Sequence, residues 1–149
     1  MSDITIRAAR PADAEALKHL LDRSWRTHWG PHLDGAALKR YEAEQPVAGY
    51  VDGYIGAFQV AQRGGVVVGM FHLDGPWLHA IHVDSWAIGT GVGQALMDAA
   101  EALGARRLEV RAFNSRARAF YLARGWLEAG EHPGSEMGVL VRTIVMERA

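Results

Sequence analysis

Residues 57–83 restrict the fold more than any other stretch of the chain. Three segments rich in β-branched and aromatic residues, Ala57 to Arg63, Val66 to Leu73 and Trp77 to Val83, are separated by Gly64-Gly65 and Asp74-Gly75. Two-residue turns of this kind join adjacent antiparallel strands, so the stretch predicts a three-stranded meander. Before it, "DITIRAAR" alternates like a strand, and Ala14, Leu17, Leu20 and Leu21 recur at helical spacing after Pro11 and Asp13, which suit a helix start. "THWGPHLDG" is turn-rich, and "GAALKRYEAEQ" predicts a short helix that Pro46 breaks.

Beyond the meander the period changes. A helix is expected from about Gly91 to Leu103, with Val92, Leu96, Met97, Ala100 and Leu103 on one side and Gly104 as its stop. "RRLEVRAF" reads as a strand, "NSRARAFYLARG" as a helix capped by Asn114 or Ser115 and ended by Gly125, and "GVLVRTIVMER" as a closing strand. No repeat or linker interrupts this order. The expectation is one α/β domain over residues 1–149 with a mixed sheet.

Composition removes several function classes. Cysteine is absent, so a thiol nucleophile and thiolate metal sites are excluded. With 17 acidic against 16 basic residues, no charge-driven binding to nucleic acid or membrane is expected. The N-terminus lacks a signal-type apolar core, which makes the cytoplasm the expected compartment.

The chemistry concentrates at "AIGTGVGQAL", where Gly89, Gly91 and Gly93 alternate with single residues at a helix entrance. The first turn of a helix presents unpaired N–H groups and the positive end of its dipole, and glycine lets an anion approach them closely. A diphosphate fits such a loop; a tight turn with no ligand is the alternative. The dinucleotide fingerprint needs its third glycine one residue later, and the P-loop needs Lys-Ser or Lys-Thr where Gln94-Ala95 stands.

Taken with "NSRARAFYLARGW" one strand later, the loop resembles the GNAT superfamily of N-acetyltransferases. That family's pattern, Arg/Gln-x-x-Gly-x-Gly/Ala and then Asn-x-x-Ala-x-x-Phe-Tyr-x-x-x-Gly-Phe, is met by "IHVDSWAIGTGVGQALM" and by Asn114, Ala117, Phe120, Tyr121, Gly125 and Trp126. The resemblance implies a mixed, mostly antiparallel sheet flanked by helices on both faces, and acetyl-CoA as cosubstrate with no metal. It also implies phosphate contacts from Ile88, Gly89, Thr90, Gly91, Val92, Gly93 and Gln94. Ile81 and Val83 would hold the pantetheine arm by their backbone, and Asn114 would add a polar contact. One departure is clear, because Ile88 stands where the family carries Arg or Gln.

Tyr121 is implied as the general acid for the departing thiolate, against a plain core aromatic. Glu109 resembles the base of the subgroup that acetylates protein N-termini; Arg107, Glu109 and Arg111 on one strand face could equally form a solvated charge ladder. His79 and His82, expected on opposite faces of their strand by alternation, are either satisfied structural histidines or further candidates for the base, His79 being the one expected in that role. His28 and His32 do not make a metal pair, because Pro31 intervenes; Trp25 and Trp29 beside them are expected to line the acceptor pocket or to pack a capped turn. The expected reaction is direct attack of a primary amine, from a small molecule or a peptide or protein N-terminus, on the acetyl thioester, with a homodimer left open. A catalytically weak acyl-CoA-binding module and a nucleotide-binding regulatory domain are the alternatives.

Overall fold

A computed structural model describes residues 3–149. Its strands are β1 (Ile4–Ala8), β2 (Phe58–Arg63), β3 (Val66–Asp74), β4 (Trp77–Val83), β5 (Arg107–Arg111), β6 (Leu127–Glu136) and β7 (Val139–Glu147). The helices are α1 (Ala14–His28), α2 (Gly35–Glu44), α3 (Pro46–Tyr54), α4 (Val92–Ala102) and α5 (Ser115–Ala123). The strands form one sheet in the order β1-β2-β3-β4-β5-β7-β6. The meander forms as expected: Gly64 and Gly65 both take positive φ, the conformation that a two-residue turn matched to strand twist requires. Passing from β4 to the parallel β5 needs a crossover, and α4 supplies it.

Helices cover both faces of the sheet. On one face Leu96, Met97 and Ala100 of α4 and Tyr121 of α5 pack with Phe71, Leu78, Leu108 and Trp126. On the other, Leu17, Leu20 and Leu21 of α1 and Val51 of α3 pack with Phe58, Val60 and Met70. Gly69 allows the first of these packings, since a Cβ there would fall 2.8 Å from Leu96 and 2.9 Å from the His82 carbonyl oxygen. Among the described residues no helix is long and apolar enough to cross a membrane.

Several expectations need correction. α2 stops at Glu44 ahead of Pro46 as expected, but a further helix, α3, begins at Pro46, where its missing N–H would have had no partner; Gln45, at φ 47°, makes the corner between the two helices. Asp74 pairs with Trp77 inside the sheet, so the turn is Gly75-Pro76. β6 is an additional strand, absent from the sequence-based order.

The correction with most consequence lies in β4. In the β3–β4 register His72 pairs with Ala80 but Leu73 pairs with Leu78, which leaves His79 as an extra residue in a bulge. A bulge resets the alternation of side chains. His79 and His82 therefore lie on the same face, toward α1 and α3, rather than on opposite faces. The His79 ring is 4.9 Å from that of His72, and His82 meets Ser24 of α1, while Leu78, Ile81 and Val83 pack on the α4 and α5 side.

Candidate active site

β4 and β5 pair at Trp77↔Arg107 and Leu78↔Leu108 and then part, with α4 and α5 standing on one side of the gap and α1 on the other. Past Leu78 the β4 backbone groups that would face β5 have no strand partner, and such groups bind an extended ligand readily. The gap opens into a cleft of about 700 Å³.

One wall is mainly backbone. Gly89 (φ 82°) and Gly91 (φ 95°) lead into Val92, the first residue of α4, and a Cβ built at either glycine meets nothing within 4 Å. That open space over unpaired helix N–H groups is what an anion needs. Ile81, Val83, Ile88, Gly89, Gly91, Gly93 and Gln94 all line the cleft. Thr90 and Val92 do not. Thr90 braces the loop, its hydroxyl donating to the Ala87 carbonyl at 2.5 Å, and the Val92 side chain is buried in the core. Asn114 caps α5, accepting from the Ala117 N–H at 3.3 Å, and also lines the cleft. Tyr121 is 7% exposed and lines it too. Its hydroxyl has no hydrogen bond to another described residue, and burial pushes its pKa up, so it stays protonated.

The facing wall is made of side chains. Trp25 and His28 of α1 and Trp29, its C-cap, line the cleft, whereas His32 stacks on Phe113 at 4.5 Å. Among the described residues no cluster of histidines and carboxylates suited to a metal occurs. Ser24, which carried no sequence signal, is buried and lies 2.7 Å from Nδ1 of His82. The two share one hydrogen bond, whose direction follows the tautomer of neutral His82. Burial, with the charge of His28 second, holds His82 down to about 4. His28 is itself lowered, by burial and then by Arg116.

His79 and Glu109 line the cleft and also a side opening shared with Trp77 and Leu78. His79 Nε2 is 3.8 Å from Asp74 Oδ2. Glu109 Oε1 is 3.2 Å from His132 Nε2, whose Nδ1 donates to the Pro133 carbonyl. Both ring nitrogens thus face acceptors, and those hydrogen bonds raise the His132 pKa, the backbone one most. A ladder within β5 does not form: Arg107 pairs with Glu147 and Arg111 with Glu136, each reaching to another strand. Glu136 also accepts from Trp25 Nε1 at 3.2 Å, which ties α1 to β6 across the floor of the cleft.

The model of the acetyltransferase (GNAT) family matches residues 14–126. Among solved structures, YjaB from Escherichia coli in its apo form is similar at 22% identity and TM-score 0.79, over 99% of this chain and 97% of that one. A GCN5-related N-acetyltransferase from Rhodopseudomonas palustris is 26% identical, TM-score 0.76, over 100% and 97%. The PaiA N-acetyltransferase of Thermoplasma acidophilum, solved in complex with coenzyme A, is 18% identical with a TM-score of 0.73, over 96% and 98%. No relative is detected among curated proteins.

Proposed function

From the premise that the chain belongs to the acetyltransferase (GNAT) family, we propose that its cleft transfers acetyl from acetyl-CoA to a primary amine by direct attack. The observation that carries this reading is the continuous donor track: an unpaired β4 edge running to an open glycine loop at the N-terminus of α4, with the Tyr121 hydroxyl beside it. The open space at Gly89 and Gly91 fits a diphosphate. The backbone of Ile81 and Val83 holds the pantetheine arm, and Asn114 supplies a polar contact from its cap.

Holding both reactants in one cleft supplies much of the rate. Tyr121, kept protonated by burial, gives its proton to the departing thiolate. His79 and Glu109 stand at the side opening, where either takes the ammonium proton directly or through water, and the contact with His132 fixes the position of the Glu109 side chain. Acceptors are amines of small molecules or peptide and protein N-termini.

The test is calorimetric titration with coenzyme A together with thioester consumption across a panel of amines and peptides. Coenzyme binding in the micromolar range and turnover with one class of amine are expected. Absence of coenzyme binding by the folded protein would sink the reading.

A further inference from the structure

Ile88 stands where the pattern that the loop resembles carries arginine or glutamine, so the charge of a diphosphate there would be met by another side chain. Two arginines flank the loop. Arg63 of β2 is already engaged: Nη1 donates to Thr90 Oγ1 at 2.9 Å, Nη2 to the Thr90 carbonyl at 3.0 Å, and Nε to Asp3 at 3.0 Å. Arg116 is different. It lines the cleft, is exposed, and has no hydrogen bond or ion pair to any described residue, whereas Arg111, the other arginine of the cleft, is held by Glu136 and Thr143.

Helix geometry points Arg116 toward the loop, and from there its charge also reaches His28 across the cleft. Arg116, Phe120 and Arg124 are spaced four apart and so share one stripe of α5 and its C-cap. At the lower end of the stripe Arg124 donates to Asp98 at 2.6 Å and to Glu101 at 3.0 Å, and it also contacts Gln94, all on α4. One turn earlier, Phe120 Cζ lies 3.6 Å from where a Cβ on Gly93 would be. The stripe therefore climbs α4 toward its first residue, and the next turn carries Arg116 past that residue to the loop entrance.

We propose that Arg116 is a coenzyme-binding residue that meets the diphosphate of acetyl-CoA from the α5 side, in place of the side chain missing at Ile88. The inference rests on the acetyl-CoA reading above. A planar guanidinium with no competing carboxylate is preorganised for such a contact.

The experiment compares wild type with Arg116→Gln, using coenzyme A for binding and three donors for kinetics: acetyl-CoA, its 3′-dephospho form, and S-acetylpantetheine. Arg116→Gln should weaken coenzyme binding about tenfold, a partly exposed charge-assisted contact. The gap should narrow at high salt, and Arg116→Lys should recover part of it. It should persist with the dephospho donor, which keeps the diphosphate, and close with S-acetylpantetheine, which lacks it. A gap that vanishes with the dephospho donor, one that survives with S-acetylpantetheine, or an effect confined to the acceptor's KM would each overturn the assignment. Wild type that fails to bind coenzyme A would overturn both readings; wild type that binds it while Arg116→Gln binds equally well would overturn this one alone. Because Arg116 makes no hydrogen bond or ion pair to a described residue and only repels the charged form of His28, the variant is expected to fold, which its circular dichroism and melting curve check.

Discussion

The two walls of the cleft are built from different materials. The wall we assign to the donor, from Ile81 through the glycine loop, presents mostly backbone; the wall we assign to the acceptor presents the side chains of Trp25, His28, Trp29, His79, His82 and Glu109. Backbone sites are specified by local features, here glycine spacing before a helix and an asparagine cap after a strand, and these survive translation from sequence to structure almost unchanged. Side-chain walls depend on which elements meet. Their members come from α1, β4 and β5, which no local pattern joins.

Breaking the backbone wall should have the largest effect. Gly91 sits at φ 95°, where a β-branched residue is strongly disfavoured, so Gly91→Val should shift the loop and weaken coenzyme binding by at least about 100-fold. Gly93 is the control within the same motif. It has no positive φ, and an added Cβ would only touch Phe120 at 3.6 Å and Val83 at 3.7 Å, so Gly93→Ala should bind nearly as wild type does. Titration calorimetry on both variants distinguishes a conformational role from a merely small residue.

Tyr121 comes next, the side chain we propose as the proton donor of that wall. Tyr121→Phe keeps the ring that packs near Phe120 and Trp126 and removes the hydroxyl, so kcat should fall about 100-fold while coenzyme affinity stays close to wild type. A wild-type kcat would return Tyr121 to a packing role.

The acceptor wall should respond to pH where the backbone wall does not. His82 is held from 6.5 down to about 4, so between those values the unfolded chain binds a proton that the folded one refuses. Its contribution is intact above about pH 6.5 and is lost as pH falls, by about 2 kcal/mol at pH 5. His28 and His72, also lowered by burial, act in the same direction, and His132, raised, acts against them. Urea midpoints measured from pH 7 to 5 should fall less for His82→Gln than for wild type; equal slopes would remove His82 as the source.

What the sequence made legible follows the same division. The meander, α4, α5 and their caps were readable because turns and periodicity are local. β6 was not, since "LEAGEHPGSE" alternates no apolar residues, being an edge strand exposed over most of its length. Nor was α3, since the proline that ends one helix begins another with equal ease. The shared face of His79 and His82 depends on a bulge set by the β3 register, which leaves no mark in β4 alone. Ser24 looked like any helix residue until α1 was laid against β4.

Glu109 and His79 sharpen the acceptor side further. Glu109→Gln should lower kcat/KM about tenfold, with recovery at high pH where more of the amine is already neutral. His79→Ala measured in parallel identifies which of the two carries the proton: the base is the one whose loss high pH repairs. Rate profiles against pH with any accepted amine decide it, and two profiles identical to wild type would remove both residues from the chemistry.

The smallest effect tests the donor wall by restoring what it lacks. Ile88 lines the cleft with extended backbone at the head of the loop, so Ile88→Arg should bring a guanidinium to the phosphates and tighten coenzyme binding by about 0.5–1.5 kcal/mol. Arg116 makes that number conditional. If both side chains meet one diphosphate, each reduces the charge left for the other, and the two guanidinium groups repel. The gain from Ile88→Arg should then be larger in an Arg116→Gln background than in wild type, a coupling that calorimetry on the four proteins of the cycle measures directly. Equal gains in both backgrounds would mean that the two positions serve separate charges on the coenzyme, and no gain in either would mean that a side chain at 88 does not reach the phosphates.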